Sequence, residues 1–122
     1  MATTEANTEI NNEPCTCMSP DGLCCGKFLS TWVGIDETNG RFGEVSIRQC
    51  HYCKRQWLHY FVEYEHLSQS GRWYRGIIDD EIAQILTQEN AAEILSNLEW
   101  HFYGGSYFFG KFGRSRGQIY VS

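Results

Sequence analysis

No run of about 18 apolar residues occurs in the 122-residue chain, so a membrane-crossing helix is not expected. The N-terminus has neither the basic start nor the apolar core of a secretory leader. No basic residue precedes Lys27. These absences make a reducing, cytoplasmic setting the expectation. Catalytic signatures are missing too. There is no HExxH, and no Ser–His–Asp pattern stands out. The stretch "YGGSYFFGKFGRSRG" has glycines at 105 and 110, but Phe112 follows Lys111 where a phosphate loop requires a hydroxyl. Its glycines therefore read as turn formers. With no catalytic residue indicated, the chain reads as a binding module and not as an enzyme.

Strong net charge of either sign is also lacking over most of the chain. Glu5, Glu9, Glu13 and Asp21 supply four of the fifteen acids, and the remaining eleven face ten Lys plus Arg. Nothing in these totals declares a nucleic-acid face. Residues 1–14 carry no apolar period and read as a disordered acidic tail. Residues 15–122 read as a single domain, since 42% of the chain is hydrophobic and 15% aromatic, enough for one core.

The class expected is α+β. "FLSTWVGI" and "RFGEVSIR", joined by the turn formers of "DETNG", predict a hairpin. "WLHYFVEYE" is apolar on both faces, as a central strand is, and "RWYRGII" follows as its partner. An antiparallel β-meander results. The period then changes: "DDEIAQIL" and "TQENAAEILSNL" predict one or two short helices, with an Asp cap on the first and Thr87 capping the second. Asp79, Asp80 and Glu81 read as cap and dipole residues, not as a carboxylate cluster for a metal. The chain closes with a C-terminal β-hairpin.

Six cysteines are what the sequence has in excess. In a reducing compartment they point to a metal more than to disulfides. With the first hairpin loop centred near Thr38 and Asn39, residue 35 faces 42 and residue 27 faces 50. That register brings Cys24 and Cys25 alongside Cys50 and Cys53. Zinc takes four ligands in a tetrahedron, and a CxxC turn supplies two of them from one direction. The ligand set expected is Cys50, Cys53, Cys25 and Cys17, with Cys24 and Cys15 as alternates. Adjacent cysteines rarely share an ion, because successive side chains of an extended chain point apart. Arg48, Lys54 and Arg55 stand nearby to offset the charge of four thiolates. His51, inside the turn, is expected to point outward.

The segment "VSIRQCHYCKRQWL" resembles the knuckle of a zinc ribbon, and "CCGK" resembles its other half. The resemblance implies a closed, structural zinc site. The departure is on the N-terminal side, where "CTCMSPDGLCC" replaces the second CxxC. Iron–sulfur ligation uses the same residue type and stays open. A thiol redox role for Cys50 and Cys53 is the rival reading, but a low-pKa pair needs a helix N-terminus and a strand follows here. His59, His66 and His101 read as packed residues.

For partners, a protein is the first expectation. The candidate surface is Arg72 and Trp73 with Arg75, joined by Lys111, Arg114 and Arg116 of the C-terminal hairpin. Arginines interleaved with aromatics also suit stacked bases and phosphates. Arg72 and Arg75, however, do not share a strand face, which weakens the nucleic-acid reading.

Overall fold

A computed structural model describes residues 15–19, 28–38, 42–64 and 68–119. Residues 1–14, the proposed tail, and Cys24 and Cys25 lie outside the described residues. So does His66. Six strands, β1 (Phe28–Asp36), β2 (Gly43–Cys50), β3 (Gln56–Val62), β4 (Arg72–Ile78), β5 (His101–Gly104) and β6 (Phe112–Ser115), form one sheet. Every neighbouring pair is antiparallel, and spatial order follows chain order. Two short helices, α1 (Asp80–Ile85) and α2 (Ala91–Asn97), interrupt the meander between β4 and β5. The protein is thus mostly β, with its helices on one face of the sheet.

Alternation along the strands creates two unlike faces. One carries Val45, Leu58, Tyr60, Val62, Tyr74 and Ile78, all buried beneath Ala91, Ala92 and Leu95 of α2. The other carries Trp57, His59, Arg75 and Phe102, and among the described residues neither α1 nor α2 packs on it. Both faces of β3 are buried from Trp57 to Tyr60, as its two-sided apolar pattern predicts. His59 is a packed strand residue, 5% exposed.

Local chemistry accounts for the helix boundaries. Asp79 Oδ1 accepts the Ile82 N–H at 2.9 Å, the expected cap. Thr87 does not cap α2 directly. Its N–H donates to Asn90 Oδ1 at 2.8 Å, and its hydroxyl accepts the Asn90 N–H at 3.1 Å. Asn90 takes the cap position, and the reciprocal pair fixes the turn between the helices.

The first hairpin differs from its expected register. Ile35 faces Glu44, and Cys50 faces Phe28. The offset is set at the loop end, where Asp36 faces Gly43, and a bulge between Trp32 and Gly34, where Gly34 has φ of 156°, then changes it by one residue towards Cys50. Such an extra residue shifts every pairing beyond it. The loop end of the hairpin is held by a buried carboxylate. Asp36 accepts the Thr38 N–H at 3.0 Å, the Thr38 hydroxyl at 2.6 Å and the Tyr60 hydroxyl at 2.6 Å. Tyr60 reaches Asp36 by passing over Gly43, where a Cβ would lie 2.3 Å from the tyrosine ring.

Two outcomes follow from this core. Gly43→Ala displaces the Tyr60 ring and leaves Asp36 short of a donor, a loss of about 2 kcal/mol in denaturant titration. Tyr60→Phe keeps the ring and loses only the hydroxyl, at about 1–2 kcal/mol.

A further outcome concerns pH. Burial, then the charges of Arg48 and Arg75, hold His59 down at about 3. The unfolded chain therefore takes up this proton first. Stability is complete above the ordinary histidine range near 6.5 and declines as pH falls from there towards 3. The slope is up to ~1.4 kcal/mol per pH unit. Denaturant midpoints at about pH 7 and about pH 5 should differ less in His59→Gln than in the parent.

Candidate metal centre

Four sulfurs meet at one end of the face that carries Trp57 and Arg75. Cys50 ends β2, and the residues after it turn sharply into β3. The Cys50 N–H donates to the Arg55 carbonyl at 2.9 Å, and the Lys54 N–H donates to the Cys50 carbonyl at 2.9 Å. Lys54 closes this loop in the left-handed region, with φ of 66°. The tight turn leaves the backbone N–H groups of Tyr52 and Cys53 near the Cys50 sulfur, where they favour its thiolate. Cys53 is thereby brought to the same side as Cys50. His51 and Tyr52, at the tip, are exposed.

The other pair comes from a one-turn 3-10 helix, Thr16–Met18. The Met18 N–H donates to the Cys15 carbonyl at 2.8 Å, so Cys15 and Cys17 project from a single tight turn. Cys15 Sγ lies 3.5 Å from Cys50 Sγ, and Cys17 Sγ lies 3.4 Å from Cys53 Sγ. All four sulfurs lie within 4.8 Å of one another. A tetrahedron of sulfurs ~2.3 Å from a central ion has edges of about 3.8 Å, so the spacing suits one metal ion.

Arg75 holds the N-terminal turn in place. It is 1% exposed and donates to the Cys17 carbonyl at 2.8 Å and to the Ser19 carbonyl. Its guanidinium lies 4.2 Å from the Trp57 ring centroid and 4.9 Å from that of Phe102. Trp57 and Phe102 stack with centroids 5.6 Å apart, and Trp100 packs against both. Cys17 and Cys50 are buried in this cluster, with Cys15 and Cys53 half-buried at its edge.

The electrostatics favour a bound cation. Burial raises Cys15, but the Cys17 N–H and the neighbouring thiols outweigh it and bring Cys15 down to about 7. Cys17 is pushed up by burial and by the sulfurs beside it, and Cys50 is pushed up mainly by burial. Four thiolates in so small a space repel one another, and a divalent ion removes that cost. Arg55 supplies positive charge. Burial lowers its pKa, yet Cys53 and Cys17 raise it overall. A further sign lies in Trp57, whose Nε1 is buried with no conventional hydrogen-bond partner among the described residues. It nevertheless lies close enough to Cys17 to favour the thiolate, and a metal-bound thiolate gives this donor an acceptor.

The residues picked from sequence thus divide. Cys50, Cys53 and Cys17 come together with Cys15, an alternate in the expected set, while Cys24 and Cys25 lie outside the described residues. Arg72 and Arg75, expected at a partner surface, are buried. Arg72 lies over the Tyr107 ring at 4.5 Å and donates to the Ser70 carbonyl. Trp73 is half-buried, while Lys111, Arg114 and Arg116 are exposed. Arg114 sits 4.2 Å from the Trp100 ring centroid. Sequence reasoning missed Arg75 as the anchor of the cysteine turn. The signal available was an arginine in a strand between aromatic neighbours, where a buried charge needs acceptors from another segment.

Compared with protein-family models, curated proteins and solved structures, the chain gives no match. Among the described residues, no helix is long and apolar enough to cross a membrane.

Loss of the Arg75 anchor should free the cysteine turn before it affects the sheet. Arg75→Met is expected to cost about 3 kcal/mol in denaturant titration, from two hydrogen bonds to a charged group. In the same variant Cys15 and Cys17 should be alkylated faster than in the parent, read by mass spectrometry of labelled peptides.

Proposed function

We propose that residues 15–122 form a small intracellular zinc-binding module in which Cys15, Cys17, Cys50 and Cys53 hold one structural ion. The observation that carries this reading is the approach of all four sulfurs to within 4.8 Å. Sulfur-only ligation in a tetrahedron is the donor set of structural zinc, and it leaves no open position for a water nucleophile. The β2–β3 turn supplies a knuckle of the zinc-ribbon kind. The opposite pair is a CxC turn, so the site is a variant of that pattern.

The ion, on this reading, staples the N-terminal segment across the end of the sheet. It closes a loop of the chain between Cys17 and Cys50, and the binding free energy becomes folding free energy for that segment. The module then acts as a binding or adaptor protein. Its surfaces for a protein partner are the exposed C-terminal hairpin, with Lys111, Arg114 and Arg116, and the neighbouring edge of Trp73.

Elemental analysis and native mass spectrometry, on protein purified without chelator or added metal, test the site. One zinc per chain is expected, with the metal lost in Cys50→Ser and in Cys15→Ser. Iron in place of zinc, or metal-free protein whose cysteines oxidise reversibly in pairs, would overturn the zinc reading.

A further inference from the structure

The same face of the sheet holds a second feature, away from the sulfurs. Reading across the strands, Trp32 pairs with Ser46, Ser46 with His59, and His59 with Arg75. In the next row on one side Glu44 pairs with Phe61, and Phe61 with Trp73. On the other side Ser30 pairs with Arg48. Small side chains, Ser30 and Ser46, thus sit among large ones. The result is a trough of about 320 Å³ walled by Trp32, Phe61, Trp73 and Arg48, with His59 at its floor.

Its walls and floor have distinct chemistry. Trp32 is 59% exposed, an unusual cost for an indole unless something covers it. Trp73 and His59 lie nearly parallel, with centroids 6.4 Å apart and an interplanar angle of 12°. Flat surfaces of this kind accept another flat ring. Arg48 is half-buried, and its Nε is itself buried with no hydrogen-bond partner among the described residues. A guanidinium left in that state meets a carboxylate or phosphate through two parallel hydrogen bonds. Arg75 lies behind His59 and adds to the positive field there. Glu44 is the acid among the residues lining the trough; it lies two rows from Arg48, and its charge acts on that guanidinium. The volume is at the small end of the range for ligand pockets, about 300–1,000 Å³.

We propose that this trough binds a small planar aromatic anion, its ring against the indoles of Trp32 and Trp73 and its negative group on Arg48. An aromatic carboxylate and a nucleoside monophosphate share that chemistry. The inference is independent of the metal reading, because none of the residues in the trough is a sulfur ligand.

The test is a titration of the full chain followed by amide NMR shifts and tryptophan fluorescence. The probes are indole-3-carboxylate and adenosine 5′-monophosphate, each against its neutral counterpart, indole-3-carboxamide and adenosine. At least one anion is expected to shift Trp32, Ser46 and Arg48 and to bind about tenfold more tightly than its neutral form. The anion that does so identifies the source. Arg48→Gln should weaken that binding about tenfold and Ser46→Leu, which fills the trough, should abolish it. Metal content measured on the same samples separates a failed ligand site from a lost metal site. If neither anion shifts these residues, the proposal is wrong. It is equally wrong if the neutral compounds bind as tightly, or if Arg48→Gln binds as the parent does.

Discussion

Burying a guanidinium is costly unless its donors find acceptors, and Arg75 finds them in a segment far away in sequence. The carbonyls of Cys17 and Ser19 come down onto the sheet to meet it. The Trp57 and Phe102 rings both lie against the charge, so that it loses water without losing stabilisation. The N-terminal turn, and with it half of the sulfur cluster, is placed by that need. The other half is placed by the backbone of the β2–β3 turn, whose geometry requires a left-handed Lys54. Two separate devices, one ionic and one conformational, thus converge at one point.

The meander was legible because its signals are local. Val45 alternating with Glu44 and Ser46, the two-sided apolar run of β3 and the acids opening α1 each state their environment within a few residues. The Cys50–Cys53 turn was legible for the same reason. What failed was anything that depended on a count carried along the chain. The first hairpin's register was set by where its loop closes, with Asp36 facing Gly43, and then altered by a bulge at Val33, which no residue type in "STWVGI" announces apart from a glycine that equally suits a turn. Cys15 was only an alternate because proximity in sequence to β1 favoured Cys24 and Cys25, which lie outside the described residues. The contact that positions Cys17, and so its neighbour Cys15, comes from β4. Arg72 and Arg75 were placed at a surface because arginine is ordinarily there, and here aromatic rings and backbone carbonyls substitute for water.

The two faces of the sheet divide the work of the molecule. The helix-covered face carries the aliphatic and tyrosine core, and its polar groups are tied to one another, as Tyr60 is to Asp36. The other face concentrates indoles, arginines, histidine and sulfur. Burial there keeps His59 neutral, so the polar floor of the trough is not a second fixed positive charge beside Arg48 at neutral pH.

The bulge that upset the register has another effect. Strand β1 lies at one edge of the sheet, and a regular edge exposes a row of unmet amides and carbonyls on which a foreign strand can add. Between Trp32 and Gly34 that row is broken in the middle of the strand. The opposite edge, β6, is only four residues long. Neither border offers a template of useful length, so a sheet rich in exposed aromatic residues is poorly suited to growing by one more strand.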